Sequence, residues 1–225
     1  MSSPDSSTIT LFFSLPFRPV GRTNAFCSGH VALGIGGTVY QVYNPNLLGL
    51  DFLFSVMPTE NWLYGPGGKW VDREPTSPSY RHVYLYGCSE SSRTVVYCAQ
   101  IGAKQDRVDL LRQRIYEVDE DFRQGILSYR LLVMNCSSII ANLLGDACII
   151  TPRFMDHVPA FLFKHFVLGA AGCGRVRVST VASFDASAFA LHGFCVGVPG
   201  LNPRRRMDQW VSAATRSGVL GSVTS

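Results

Sequence analysis

Two short apolar segments constrain the fold of this chain more than any other feature, and each contains a residue that can act in catalysis. Residues 28–35, SGHVALGI, place branched apolar side chains at every second position after His30, which is the period of a β-strand. Residues 132–139, LVMNCSSI, lead into a run with apolar side chains at helical spacing that stops at Gly145. The sequence therefore predicts a strand that begins at a histidine and a helix that begins at Cys136.

The rest of the chain divides into strand-like and helix-like patterns. Gly36 and Gly37 separate two alternating segments, a spacing that is typical of a β-hairpin. Glycine, proline and aromatic residues are frequent over residues 44–78, which favours an ordered surface loop that shapes substrate access. The patterns predict strands over residues 8–15, 29–35, 38–43, 80–87, 93–99 and 175–181, and helices over residues 104–123, 137–144 and 159–168. We therefore expect an α+β protein in which an antiparallel sheet packs on the helix that carries Cys136.

The length and composition allow one large core or a core with a small appendage, because 47% of the 225 residues are apolar. The pattern becomes less regular after residue 151, where we place a domain boundary. We expect a polar leader over residues 1–7, a catalytic domain over 8–150, a C-terminal extension packed on it over 151–200, and a basic, flexible tail over 201–225.

Charge and hydropathy limit the expected partners. The formal net charge is +4, but much of the basic excess lies around residues 204–206 rather than along an aromatic-bearing face, so nucleic acid is not an expected partner. Residues 1–7 carry no basic side chain ahead of an apolar run, so we expect synthesis in the cytoplasm without a cleavable signal peptide. Lys164 and His165 interrupt the apolar run over residues 158–174, which predicts a buried helix, with contact at a membrane surface as the alternative.

The cysteine and carboxylate spacings do not indicate a metal site. The seven cysteines form no C-x-x-C pair and no regular series, so neither a zinc site nor a disulfide framework is predicted. The acidic residues of the 44–78 loop are irregularly spaced and typical of solvated charges: Asp51, Glu60, Asp72 and Glu74. We expect neither a metal nor a cofactor.

Cys136 is the candidate nucleophile. The N-terminus of a helix favours a thiolate through its unpaired N–H groups, and an imidazole can take the thiol proton and return it to a leaving group. Polar residues flank Cys136, so we expect the sulfur to face an opening, with the Asn135 amide and the N–H of Cys136 or Ser137 as oxyanion donors. The alternative is a buried, inert cysteine.

His30 is the candidate general base and acid. It shares a strand face with Ala32 and Gly34, which are small enough to let a helix approach closely. If the hairpin forms, Gln41 lies on the neighbouring strand and can accept a hydrogen bond from the imidazole, which would fix its tautomer. The alternative for Gln41 is an exposed strand residue.

Five further residues are candidates for lesser roles. Trp62 and Trp70, in the glycine-rich loop, are either a substrate-binding platform or the core of the loop. Cys27 lies three positions before the candidate histidine and is an alternative nucleophile. His157 and His165 have no partner pattern in the sequence, so we expect structural or exposed roles for both.

At these residues the sequence resembles a known superfamily. GHVALGIGGTVYQVYNP followed by LLVMNCSSIIANLL is similar to the circularly permuted branch of the papain-like superfamily, which includes permuted NlpC/P60 hydrolases, lecithin:retinol acyltransferase-like enzymes and PPPDE peptidases. The resemblance covers roughly residues 8–148 and implies a permuted papain-like fold. It also implies that Cys136 is the nucleophile, that His30 is the base and acid, and that Gln41 is the third polar residue, at a position where several members have a second histidine.

The resemblance implies an activity. We expect a thiol hydrolase that cleaves an amide bond in a peptide, a peptidoglycan stem or a ubiquitin-like conjugate. Two alternatives remain open: a lipid acyltransferase or thioesterase of the same fold, and a non-enzymatic binding module that keeps a papain-like shell. Stand-alone permuted members resemble bacterial secreted effectors, which implies delivery into a target cell by a dedicated secretion machine.

Overall fold

The computed structural model describes residues 7–14, 30–42, 52–64, 93–130, 134–170, 176–184 and 203–216. The predicted strand over residues 80–87 and the candidates Cys27 and Trp70 lie outside these ranges. In chain order the elements are β1 (Thr8–Ser14), β2 (His30–Ile35), β3 (Thr38–Val42), β4 (Phe54–Pro58), α1 (Thr59–Tyr64), β5 (Arg93–Gly102), α2 (Gln105–Arg123), α3 (Cys136–Asp146), a 3₁₀ helix (Phe154–His157), α4 (Pro159–Gly169), β6 (Arg177–Phe184) and α5 (Pro203–Arg216).

The described strands form one antiparallel sheet in the order β4-β3-β2-β1-β5-β6. The hairpin between β2 and β3 is confirmed, and Gly36 and Gly37 adopt the positive φ values of 54° and 86° that a tight turn between twisted strands requires. The α+β class and the antiparallel sheet are therefore as predicted.

The main core lies between one face of the sheet and the helices α3 and α4. Val31, Leu33 and Ile35 of β2 belong to the same buried cluster as the apolar side of α3. Phe13 of β1 contacts Phe163 of α4, with ring centroids 5.7 Å apart. The helix that carries the cysteine therefore packs on the sheet as expected.

The side of the sheet on which α3 packs differs from the prediction. We expected the helix over the small residues Ala32 and Gly34, but it covers the opposite face of β2. A Cβ atom on Gly34 would lie only 2.7 Å from the ring of Phe12, so this glycine makes room for a neighbouring aromatic ring and not for a helix.

A second, smaller core covers that other face. Trp62 and Leu63 of α1 pack there with residues contributed by the strands: Phe12, Ala32, Val39, Met57, Val96 and Cys98. The segment that we expected to be a loop therefore contains an edge strand and a helix. Asp119 of α2 fixes the start of this segment, because its Oδ1 accepts hydrogen bonds from the N–H groups of Leu53 (2.8 Å) and Phe54 (3.0 Å).

The described residues after 151 are integral to the same fold. The strand β6 pairs with β5 along eight residues and completes the sheet. The helix α4 contributes Leu162, Phe163 and Phe166 to the main core. No described helix is long and apolar enough to cross a membrane.

The part of the expected flexible tail that the structure describes, residues 203–216, forms a helix. The helix α5 buries Met207, Val211 and Ala214 in the main core, and the Tyr97 hydroxyl donates a hydrogen bond to Asp208 Oδ1 at 2.6 Å. These three apolar residues follow helical spacing. The basic and serine-rich composition of the segment concealed that period.

Gly34→Ala should lower the free energy of unfolding by about 1–3 kcal/mol, because the new methyl group collides with the packed ring of Phe12. Gly102→Ala is the matched control: no heavy atom of its surroundings lies within 4 Å of the position that a Cβ would take there, and its stability should be unchanged or raised by up to about 1 kcal/mol. Urea unfolding followed by circular dichroism measures both. Equal stabilities of the two variants would contradict the packing described here.

Val211→Ala should lower the free energy of unfolding by about 1–3 kcal/mol, because the substitution leaves a cavity beneath α5. Gln209→Ala, on the exposed side of the same helix, should change it by less than about 0.5 kcal/mol. If Val211→Ala also has no effect in urea unfolding, α5 does not contribute to the core.

Candidate active site

The helix α3 begins at Cys136 because Asn135 caps it. Asn135 Oδ1 accepts hydrogen bonds from the N–H groups of Ser137 (2.9 Å) and Ser138 (3.1 Å). In return, Ser138 Oγ accepts one from the Asn135 N–H at 2.9 Å. This reciprocal capping box satisfies the first N–H groups of the helix and places the cysteine at its first residue, as the sequence predicts.

The 3₁₀ helix is hydrogen-bonded to this capped end. Ser137 Oγ donates to the carbonyl of Asp156 at 2.7 Å, and Asn135 Nδ2 donates to the carbonyl of His157 at 3.0 Å. The buried Asp156 carboxylate accepts from the Arg153 N–H at 2.7 Å and from Nδ1 of the buried His165 at 2.8 Å. The pair Asp156–His165 thus connects the 3₁₀ helix to α4.

The Cys136 thiol is buried and neutral, which is the reverse of what we expected. Cys136 is 8% exposed and belongs to the main apolar cluster, so its sulfur does not face an opening. Burial raises the pKa of the thiol to about 11, while the backbone N–H groups of Val31, Ser137 and Cys136 act in the opposite direction. The loss of hydration therefore outweighs the favourable field of the helix N-terminus.

His30 is the first residue of β2, directly before the residue whose N–H reaches the thiol. Its side chain is buried, and burial lowers the pKa of the imidazole to about 4. By strand alternation it belongs to the face of Ala32 and Gly34, whereas Cys136 lies on the face of Val31. Cys136 therefore lies near the start of β2, where His30 is the first residue. The two side chains belong to opposite faces of the sheet.

Gln41 is fully buried, so the alternative of an exposed strand residue is wrong. Its Oε1 accepts a hydrogen bond from the indole N–H of Trp62 at 2.5 Å. Because an indole nitrogen only donates, this bond fixes the orientation of the amide, and Gln41 presents its NH₂ group to the rest of its surroundings. The acceptor atom that we expected to serve the imidazole is thus engaged by Trp62.

Trp62 does not form an exposed substrate-binding platform. Its side chain is buried, its ring centroid lies 4.9 Å from that of Phe12, and it holds Gln41. Trp62 is thus a core residue that packs on the sheet from the helix α1, and not from within a loop.

Tyr129 is a site residue that the sequence reasoning missed. It is buried in the cluster that contains Cys136. Burial raises the pKa of the phenol, as does the neighbouring charge of Cys136 when ionised, and the Cys136 N–H acts in the opposite direction. The hydroxyl therefore lies beside Cys136 and stays protonated, with its oxygen facing the Cys136 N–H. Tyr129 lies between two helices without any periodic pattern, so no sequence signal marks it.

The Asn135 and Ser137 groups that we expected to hold an oxyanion have structural partners. The Asn135 amide caps α3 and binds the 3₁₀ helix, and the Ser137 N–H donates to that cap. Their role in binding an oxyanion stays a prediction. The Cys136 N–H and the Tyr129 hydroxyl are the other donors near the sulfur.

Comparison with known proteins leaves the family open, since no family model, curated protein or solved structure matches the chain. Within the described ranges, no three His, Cys, Asp or Glu side chains are grouped so that they could hold a metal ion. The candidate site is therefore judged on its own geometry.

The burial of His30 should make the protein sensitive to acid. Its folded-state pKa of about 4 lies below the ordinary 6.5, so the unfolded chain binds the proton first. At pH values above 6.5 the imidazole is neutral in both states, and its titration does not reduce the free energy of unfolding. As the pH falls from 6.5 towards 4, proton binding to the unfolded chain lowers the free energy of unfolding, by at most about 3 kcal/mol.

Urea unfolding at a series of pH values tests this expectation. His30→Gln should lose less stability than the wild type between pH 6.5 and 4. Gln209→Ala, at an exposed position without a titratable group, should keep the wild-type profile. Identical profiles for the wild type and His30→Gln would show that the imidazole is not buried as described.

Proposed function

We propose that this protein is a thiol hydrolase that cleaves an amide bond in a peptide or protein, with Cys136 as the nucleophile. The observation that carries the proposal is the arrangement of backbone N–H groups around one sulfur: those of Val31, Cys136 and Ser137, at the first residue of a capped helix. Such donors stabilise negative charge on the sulfur and on an oxyanion bound next to it. The superfamily resemblance supports the same assignment.

The pKa values constrain the mechanism. The thiol at about 11 and the imidazole at about 4 are both neutral at pH 7. Proton transfer from Cys136 to His30 in this arrangement would cost about 10 kcal/mol, because each pKa unit corresponds to about 1.4 kcal/mol. Catalysis by this pair therefore requires a rearrangement that brings the His30 ring to the face of the sheet on which Cys136 lies.

Proton transfer and attack on the carbonyl then occur together. The Cys136 sulfur bonds to the carbonyl carbon while His30 takes the thiol proton, and the Cys136 N–H and the Tyr129 hydroxyl donate to the oxyanion. His30 returns the proton to the leaving amine as the C–N bond breaks. Water then hydrolyses the thioester, again with His30 as the base.

Gln41 has a positioning role in this proposal. Its amide, oriented by Trp62, offers an N–H on the strand face to which His30 belongs. After the rearrangement this N–H would pair with an unprotonated ring nitrogen of His30. In the described structure, burial is what lowers the pKa of His30.

Two further candidate functions follow from specific observations. A lipid acyltransferase or thioesterase would use the same nucleophile and is favoured by apolar side chains exposed on the 3₁₀ helix, beside the start of α3. A non-enzymatic binding module is favoured by the burial of the thiol. The scissile bond and delivery by a secretion machine stay predictions.

Turnover of p-nitrophenyl acetate tests the nucleophile without knowledge of the substrate. The wild type should release many equivalents of nitrophenol with a transient acetyl group on Cys136, located by peptide mass mapping. Cys136→Ala and His30→Asn should each lower the rate by a factor of about 10² to 10⁴.

Two cysteines serve as controls. Cys148 is exposed, and Cys98 is buried with its pKa raised to about 12, so Cys148→Ala and Cys98→Ala should keep the wild-type turnover. Equal turnover by the wild type and Cys136→Ala would contradict the hydrolase proposal and favour the binding module.

A further inference from the structure

A group of exposed apolar side chains lies on the 3₁₀ helix next to the candidate site and on the helix that follows it. It consists of Phe154 and Met155 on the 3₁₀ helix and Phe161 and Leu168 on α4, and we call these four residues the apolar face. Phe154 is 88% exposed, and the other three are between 44% and 49% exposed. Side chains of this size are normally covered when they are grouped on a surface.

The helix α4 is apolar on both of its sides. Leu162, Phe163 and Phe166 point into the main core, as expected for a surface helix. Phe161 and Leu168, seven residues apart, share the outward side, which is polar in most helices that border solvent. The outward apolar residues therefore need an explanation other than packing within the described part of the chain.

The outward charges of the segment that carries the apolar face are of one sign. Arg153 is exposed, and Lys164 is half-buried with its Nζ 5.5 Å from the ring centre of Trp210 on α5. Asp156 is the only acidic residue between positions 152 and 170, and it is buried against His165. No negative charge of this segment therefore faces outward.

We propose that the apolar face docks on the surface of an anionic phospholipid bilayer. Phe154, Met155, Phe161 and Leu168 would enter the boundary between headgroups and acyl chains, while the exposed Arg153 would reach the lipid phosphates. A bilayer is a more suitable partner than a protein because the Phe154 side chain is almost fully exposed. Such a side chain can insert into a fluid lipid surface, whereas a protein partner would need a matching pocket. The cationic charges of the same segment also match an anionic surface.

The docking surface is fixed relative to the cysteine. The 3₁₀ helix that carries Phe154 and Met155 accepts the hydrogen bonds of Asn135 and Ser137 at the start of α3. A docked bilayer would thus lie beside the α3 N-terminus. The proposal concerns binding alone and does not depend on catalysis by Cys136.

Vesicle co-sedimentation of the full chain tests the proposal. The wild type should sediment with vesicles in which about a third of the lipid is phosphatidylserine, and the binding should weaken with added salt and with pure phosphatidylcholine. The double variant F154S/F161S should bind at least about tenfold more weakly, because two apolar anchors are lost.

The double variant Y116S/I126S is the matched control, since these side chains are 70% and 71% exposed on and after α2, away from the apolar face. It should bind like the wild type, and circular dichroism checks that both double variants are folded. The proposal is overturned if the wild type does not sediment with the anionic vesicles, or if F154S/F161S binds as strongly as the control. It is also overturned if sedimentation velocity shows a dimer that only F154S/F161S dissociates, because the apolar face would then be covered by a second copy.

Discussion

The capped start of α3 is the interaction on which the rest of the site depends. The Asn135 side chain ends the preceding segment and starts the helix, so that the next residue, Cys136, takes the first helical position. The same amide and the hydroxyl of Ser137 hold the 3₁₀ helix, which Asp156 joins to α4. One local set of hydrogen bonds thus determines where the sulfur lies and which segment borders it.

Two opposing effects decide the protonation of the sulfur in this arrangement. The helix N-terminus and the nearby N–H groups favour the thiolate, an effect usually worth about 0.3–1 kcal/mol and at most about 2 kcal/mol. Removal of the thiol from water acts in the other direction and is larger, since the pKa of Cys136 rises to about 11. The same loss of hydration keeps His30 neutral. In the folded protein, the Cys136 thiol and the His30 imidazole are therefore both uncharged at neutral pH.

Much of the fold could be predicted from local periodicity, because β1, the β2–β3 hairpin, α2, α3 and α4 each carry their own pattern. Which face of β2 receives α3 could not be predicted, since alternation defines two faces but does not say which one a distant helix covers. Three contacts could also not be predicted from sequence spacing: the Asp156–His165 pair, the position of Tyr129 beside Cys136, and the hydrogen bond from Trp62 to Gln41. These are contacts between segments whose relative positions only the assembled core determines.

The connection between the cysteine helix and the 3₁₀ helix has a consequence for the order in which the protein matures. During synthesis, the strands β1 to β4 and the helix α3 leave the ribosome before the 3₁₀ helix and α4. Until Asp156 has bound Ser137 and α4 has joined the apolar cluster that contains Cys136, the contacts around the start of α3 are incomplete. Cys136 is therefore more open to oxidation and to mispairing with other thiols in the nascent chain than in the folded protein, where it is buried.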